Sequence, residues 1–275
     1  MKMSLIMIEN ELLEDLLNKI HSLYGYDFLQ YSMASLQRRI NAFYIKAKID
    51  SYEELLNNLS DQQYFSYFIE EITVNVTEMF RDQSFYSMLK TKVLPILTTY
   101  PFIRIWHAGC STGEEVYSMA ILLKEAGILH KSILYATDIN QAVIENARKG
   151  IFPIRMMQKY SENYINSGGE NDFSSYYRAN YNLAKFDESL TDRMVFSTHN
   201  LVTDGSFNEF QLILCRNVLI YFDKDLQNKV LQLFDKSLEN LGFLALGNKE
   251  SLRFSTLAFK YTSVDNKEKI WRKTL

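Results

Sequence analysis

The sequence predicts an α/β protein: an all-α N-terminal domain, then a parallel sheet covered by helices and interrupted by a small inserted β-subdomain. Three observations carry this reading. Residues 1–72 show only helical apolar spacing. Beyond residue 102, short apolar runs alternate with amphipathic stretches, the pattern of repeated strand–helix–strand units. Residues 151–190 break that alternation with Gly168-Gly169 and with Tyr160, Tyr164, Tyr176, Tyr177 and Tyr181, and read as a helix plus a small antiparallel ribbon. The expected domains are therefore 1–72 and 73–275, the second carrying the insertion at about 151–190.

In the first domain, Leu12, Leu13, Leu16, Leu17 and Ile20 recur at helical spacing until Gly25 stops the run. A second helix is expected from about Tyr31 to Ile49. Ser51 and Glu54 form a capping box that opens a third, and Asp61 is placed to cap a fourth. In the second domain, Asp82 is placed to cap a helix running through Leu97. Strands are expected at Phe102–His107, Ser132–Thr137, Met194–Ser197, Phe210–Cys215 and Phe243–Leu246. Helices are expected at Glu114–Leu123, at Ala142–Arg148 before Gly150, and along Leu226, Val230, Leu233, Phe234 and Leu238, with Gly242 as the stop.

Composition narrows the class. Of 275 residues, 47% are apolar and 23% charged, as in ordinary globular chains. Two cysteines make no disulfide framework and fit a reducing compartment. A net charge of −3 gives no basic field for nucleic acid. No apolar run approaches the roughly 18 residues of a membrane span, and the N-terminal apolar stretch is too short for a signal peptide. A cytoplasmic protein is expected. His21, His107, His130 and His199 have no metal-ligand spacing, so no metal is expected.

The chemistry is concentrated at the ends of the expected strands. Ala108-Gly109-Cys110-Ser111-Thr112-Gly113 leads the first strand into a helix that starts Glu114-Glu115. A dinucleotide site needs a third glycine there and an anion-friendly helix start. Two carboxylates would repel a phosphate and suit an ammonium. Asp138, 25 residues after Gly113, stands near the place of a ribose-binding acid. Ribose and ammonium without phosphate describe S-adenosylmethionine. Asn200 follows the strand at 194–197 and has an amide able to meet an adenine edge, though it is equally a turn residue. Cys215-Arg216-Asn217-Val218-Leu219-Ile220-Tyr221-Phe222-Asp223 places polar residues at another strand's C-terminal end, where ligands bind in open α/β sheets.

These residues carry a resemblance. The chain resembles the CheR family of chemotaxis-receptor glutamate methyltransferases over nearly its whole length. The matching motifs are Asn75-Val76-Thr77-Glu78-Met79-Phe80-Arg81-Asp82, Ser111-Thr112-Gly113-Glu114-Glu115, Asp138-Ile139, Asn200-Leu201, and Cys215-Arg216-Asn217-Val218 with Ile220-Tyr221-Phe222-Asp223. The resemblance implies a helical N-terminal domain and a Rossmann-like, S-adenosylmethionine-dependent methyltransferase domain with an inserted β-subdomain. It implies methyl transfer to glutamate carboxylates of chemotaxis receptors, leaving S-adenosylhomocysteine. By motif, Asn75, Thr77, Arg81, Glu114, Asp138, Asn200, Leu201, Asn217 and Val218 are expected to bind the cofactor, and Arg81 and Tyr221 to face the transferring methyl. The chain departs from the family at Asn248-Lys249-Glu250, where a His-Ser-Glu stretch is common and only the Glu is kept.

A glutamate nucleophile has a pKa of about 4.3 and needs no general base, so the lack of a triad fits this chemistry. Two other readings compete. One is a methyltransferase-like module that binds a partner without turnover. The other is a Rossmann oxidoreductase, which the missing glycine and the paired acids oppose. The segment 28–49 has four basic residues and no acid. On a helix, Arg38, Arg39 and Lys46 fall within about a 100° arc. That face is expected to meet the acidic helices of the receptor.

Overall fold

The computed structural model describes residue 8 and residues 10–73, 77–253 and 255–274. By its internal contacts the chain divides into two units. The first holds the described residues up to Thr73 together with Ile220–Lys229; the second holds the rest.

The first unit contains α1 (Asn10–Tyr24), α2 (Met33–Ala47), α3 (Tyr52–Asn58) and α4 (Gln62–Ile72). Apolar residues three and four apart make one buried stripe per helix. Leu13, Leu16, Leu17 and Ile20 supply it on α1, and Phe65, Phe68, Ile69 and Ile72 on α4. Leu12 lies off the stripe and is exposed. Ser51 Oγ accepts from Glu54 N at 3.1 Å, and Asp61 Oδ1 from Tyr64 N at 2.8 Å, so both caps form where free helix N–H groups need them. The Glu54 carboxylate reaches back to Asp50 N rather than to the cap residue itself. The distant segment Ile220–Lys229 joins this unit through aromatic contacts. Phe28, Tyr31 and Phe222 stack edge to face with centroids 4.9 Å apart at each step. Asp223 N also donates to Gln30 O at 3.0 Å.

In the second unit α5 (Gln83–Met88) leads through one π turn at Leu89–Val93 into α6 (Leu94–Leu97). The helix expected through Leu97 therefore runs its full length, with one π turn inside it. Pro95 follows the wider turn, and its ring nitrogen has no hydrogen to donate to the helical ladder. Asp82 precedes α5 but does not cap it with its side chain, because that carboxylate is bound to Arg216.

Among the described residues seven strands form the main sheet. They are β1 (Ile103–Ala108), β2 (Ser132–Asp138), β6 (Met194–Thr198), β7 (Phe210–Cys215), β8 (Leu238–Leu246), β9 (Tyr261–Asp265) and β10 (Ile270–Lys273). The inserted segment forms a separate antiparallel sheet from β3 (Ile151–Pro153), β4 (Tyr177–Asn180) and β5 (Leu183–Phe186). The main order is β6-β2-β1-β7-β8-β10-β9, parallel from β6 to β8 and antiparallel at β10 and β9. Every residue of β7 is buried, as expected for a central parallel strand. Helices α7 (Glu114–Glu125), α8 (Gln141–Lys149), α9 (Met157–Asn166), α10 (Glu188–Thr191) and α11 (Lys224–Ser237) complete the elements.

Gly242 does not end α11. The helix stops at Ser237, and β8 begins at once and runs through Gly242. Leu241 has φ +67°, and the pairing with β7 shifts register between Phe210 and Leu212, so this glycine marks an irregular strand. The antiparallel pair β9 and β10 had not been placed by apolar spacing. Their solvent-facing residues, such as Thr262, Ser263 and Arg272, give a weak apolar pattern.

The order reverses around β1, which lies between β2 and β7. Such a switch point opens a crevice at the carboxyl ends of the strands. Ala108, Asp138, Thr198, Cys215 and Leu246 are the last residues of their strands there. No described helix is long and apolar enough to cross a membrane.

Candidate functional site

The turn between β1 and α7 is the tightest part of this edge. Gly109 has φ +79°, Ser111 +51° and Gly113 +96°. A side chain at Gly109 would collide with Val218, and one at Gly113 would come within 2.9 Å of Ala147 Cβ. The two glycines therefore answer both the backbone and the close packing. Gly109 N and Cys110 N both donate to Thr137 O, at 2.8 and 2.9 Å, which ties the turn to β2.

Asp138 completes that tie. Its Oδ2 accepts from Ser111 N at 2.9 Å and its Oδ1 from Asn140 N at 3.0 Å. Burial raises its pKa above the ordinary 3.8, partly offset by these backbone donors. Glu114 opens α7 and is buried. Thr112 Oγ1 donates to its Oε2 at 2.6 Å and Tyr160 OH to its Oε1 at 3.2 Å. Burial raises its pKa too, against the lowering effect of those bonds. A carboxylate has about four lone-pair sites, so both acids keep acceptor capacity beyond their protein partners. Ser111 Oγ is buried in the same turn without a partner among the described residues. An ammonium and vicinal hydroxyls fit this lining, so the residues present suit S-adenosylmethionine.

The expected cofactor residues on other strands gather at the same sheet edge. Asn200 and Leu201 follow β6, where His199 N donates to Asp138 O at 3.0 Å. Asn200 Oδ1 accepts from Val202 N at 2.9 Å, so the oxygen of its amide serves a turn. Asn217, with φ +62°, and Val218 follow β7. Thr77 is half-buried ahead of the Arg81 turn, and Asn75 lies outside the described residues.

Arg81 is held in an unusual backbone. Phe80 has φ +52° and Asp82 φ +58°, so the half-buried arginine stands between two left-handed residues. Each costs on the order of 1–2 kcal/mol and persists only where its surroundings hold it. Ser118 Oγ accepts from Phe80 N at 2.9 Å, and Arg216 grips Asp82 Oδ2 at 2.7 Å.

Arg216 is one of the residues that apolar spacing and motif had not assigned. Its side chain is only 4% exposed. It lies 3.9 Å above the Phe85 ring and pairs with Glu115 Oε2 at 3.3 Å as well as with Asp82. His107, fully buried in β1, donates from Nδ1 to the other Glu115 oxygen at 2.9 Å. Burial alone would raise the Glu115 pKa, but His107 and Arg216 hold it below the ordinary value. The second missed residue is Glu250. It accepts from Gly247 N at 2.6 Å, Asn217 N at 3.1 Å and Val218 N at 2.9 Å, joining the loops after β7 and β8. A side chain on Gly247 would sit 2.7 Å from Asn217 N. The polar cluster Cys215-Arg216-Asn217 signalled the first residue, and retention of Glu250 alone from the family's triplet signalled the second.

The remaining site residues lie in the helical unit. The Arg39 guanidinium rests 5.1 Å over the Tyr221 ring, donates to Ile72 O, and donates from Nε to Ser35 O at 3.2 Å. Lys46 pairs with Glu71 at 2.7 Å, and Arg38 is exposed.

Arg216→Met is expected to strip Asp82 of its cation and to leave Glu115 with His107 as its remaining partner. Breaking a buried pair costs about 3–5 kcal/mol, and the partial exposure of Asp82 places the loss near the lower figure. Urea unfolding measures it, and a loss below about 1 kcal/mol, the worth of an exposed pair, would rule out the clamp.

Comparison with known proteins places this geometry. Residues 75–267 match the model of the CheR methyltransferase SAM binding domain, and residues 11–73 that of the CheR methyltransferase all-alpha domain. The chain is 45% identical over 262 residues to Cher3 of Pseudomonas putida, covering 94% of this chain and 95% of that one. It is 34% identical to a chemotaxis protein methyltransferase of Listeria monocytogenes, covering 83% and 85%, and 30% identical to one of Borreliella burgdorferi, covering 90% of each. With the turn, its two acids and the strand-end motifs arranged as above, the chain belongs to the CheR family of S-adenosylmethionine-dependent methyltransferases.

Proposed function

We propose that the chain is a protein-glutamate O-methyltransferase that esterifies glutamates on the cytoplasmic helices of chemotaxis receptors. The observation that carries this is the likeness, along more than four-fifths of their length, to relatives named chemotaxis protein methyltransferases. The local chemistry supports it. His107 is fully buried, its Nε2 included, so its imidazole is out of reach of a substrate proton. A substrate that must lose a proton would call for a base, whereas a glutamate is already ionised at neutral pH, with a pKa of about 4.3.

S-adenosylmethionine, when bound, supplies an electrophilic sulfonium methyl. Glu114 would hold its ammonium and Asp138 its ribose hydroxyls. Arg81 orients the substrate carboxylate through one oxygen and leaves the other free to attack, since a two-toothed grip would blunt the nucleophile. Opposite charges are lost in the transfer, so a site that excludes water and aligns the reactants favours it. The basic face of α2 would align the acidic receptor helix. The same turn speaks against an oxidoreductase, because the buried carboxylate of Glu114 opens the helix whose N-terminus would have to take a pyrophosphate. A partner-binding module without turnover would not need the two left-handed residues that set Arg81.

Transfer of labelled methyl to receptor-enriched membranes tests the proposal, with base-labile label identifying an ester. Arg81→Ala is expected to abolish this transfer while the protein stays folded; wild-type turnover in that variant would make Arg81 structural. S-adenosylhomocysteine affinity is expected to fall with decreasing pH. Glu114 must be ionised to hold the ammonium and its pKa lies above 4.5, so the loss begins at higher pH than for an ordinary glutamate. Glu114→Gln is expected to flatten this limb, and calorimetry across pH decides it.

The partner surface is tested at Arg38 and Lys46, because Arg39 is built into the helical unit. Arg38→Glu with Lys46→Glu is expected to raise the receptor KM at low salt, to ease as salt screens the charges, and to leave cofactor affinity alone. Unchanged receptor kinetics at low salt would make this an ordinary solvated face.

A further inference from the structure

Asn163 lies on α9 in the inserted segment, and its amide brackets the Arg81 turn. Its Nδ2 donates to Met79 O at 2.9 Å, and its Oδ1 accepts from Gln83 Nε2 at 2.8 Å. Met79 stands two residues before Arg81 and Gln83 two after. Asn163 is fully buried, so neither bond can be exchanged for one to water. The partners also fix the chemistry. One is a carbonyl that needs a donor and the other an amide N–H that needs an acceptor, and a side-chain amide offers both on one planar group. The residues between these two anchors include both left-handed positions, Phe80 and Asp82.

The same helix carries Tyr160 three residues earlier, which places it on the same face as Asn163. Tyr160 OH donates to Glu114 Oε1 at 3.2 Å. One face of α9 therefore bonds the acid that opens α7 and both ends of the Arg81 turn. Farther along, Ser87 Oγ donates to Ser167 O at 3.0 Å and Lys90 Nζ to Gly168 O at 2.9 Å. The insertion is thus anchored to the segment after Arg81 over about two helical turns.

We propose that Asn163 is a positioning residue for methyl transfer, holding the Arg81 turn closed from the inserted segment, so that the insertion is a working part of the transfer site. This rests on the reading of Arg81 given above. A turn with two left-handed residues carries strain that its anchors must hold. Releasing either anchor lets Arg81 drift, which acts on the chemical step more than on binding.

Two variants test it in the full chain, with methyl transfer to receptor-enriched membranes, S-adenosylhomocysteine calorimetry and thermal unfolding measured on each. Asn163→Asp keeps the acceptor for Gln83 and removes the donor to Met79. Gln83→Ala removes the other bond from a half-buried position. Both are expected to lower kcat by about tenfold or more, since an ångström of misplacement can cost about a hundredfold. Receptor KM and S-adenosylhomocysteine Kd are expected to change clearly less than kcat, because Glu114 and its partner Tyr160 still hold the cofactor. A kcat within twofold of wild type in Gln83→Ala overturns the proposal. So does a loss of S-adenosylhomocysteine affinity as large as the loss in kcat, because the cofactor acid would then have moved. Failure of Gln83→Ala to fold overturns it as well, making the bond a requirement of folding. Arg81→Ala in the same assay separates the two levels. If it is active, the reading of Arg81 falls; if it is inactive while both other variants turn over normally, only the role of Asn163 falls.

Discussion

The methyltransferase unit depends on one buried cation. Arg216 is almost wholly removed from water, and a guanidinium there is tolerable only when anions and a ring face surround it. Asp82, Glu115 and Phe85 supply that surrounding. Each belongs to a different demand of the site. Asp82 follows Arg81, Glu115 follows the buried acid Glu114, and Arg216 itself precedes the Asn217-Val218 turn. Satisfying one charge therefore brings together the turn before α5 and the segments that follow β1 and β7. His107 extends the arrangement into the central strand by bonding the remaining oxygen of Glu115.

Backbone conformation follows from these ties. Phe80, Asp82, Ser111 and Asn217 all take positive φ, which residues with a side chain rarely adopt. Each is next to a bond that repays the strain. Ser118 accepts from Phe80, Arg216 holds Asp82, Asp138 accepts from Ser111, and Glu250 accepts from Asn217. Carboxylates accepting backbone N–H groups recur at this edge because the strands end there and leave donors without ladder partners. Glu250, with three such donors, does for the β7 and β8 loops what Asp138 does for the turn after β1.

The inserted segment takes part in the same logic. Tyr164, Tyr176 and Tyr177 pack around Phe173 and Phe186, and Tyr160 and Asn163 face the methyltransferase core. An insertion that contributes bonds to Glu114 and to the Arg81 turn cannot be varied freely, whatever else its exposed ribbon does.

The sequence by itself determined the division into helical and α/β parts, the central strands, the caps at Ser51 and Asp61, and the acids Glu114 and Asp138. These are legible because apolar periodicity, capping and strand-end polarity are local, acting over a few residues. The tertiary structure alone decided what Asp82 does. Its position promised a helix cap, yet a buried guanidinium 134 residues away binds a carboxylate more strongly than a free helix N–H does. It alone placed Tyr221 against Arg39, and it alone set Glu250 and Asn163 on backbone groups 33 and 84 residues distant. Such bonds join segments by the closure of the sheet and the docking of a helix. No local pattern encodes which distant carbonyl or amide a polar side chain will meet.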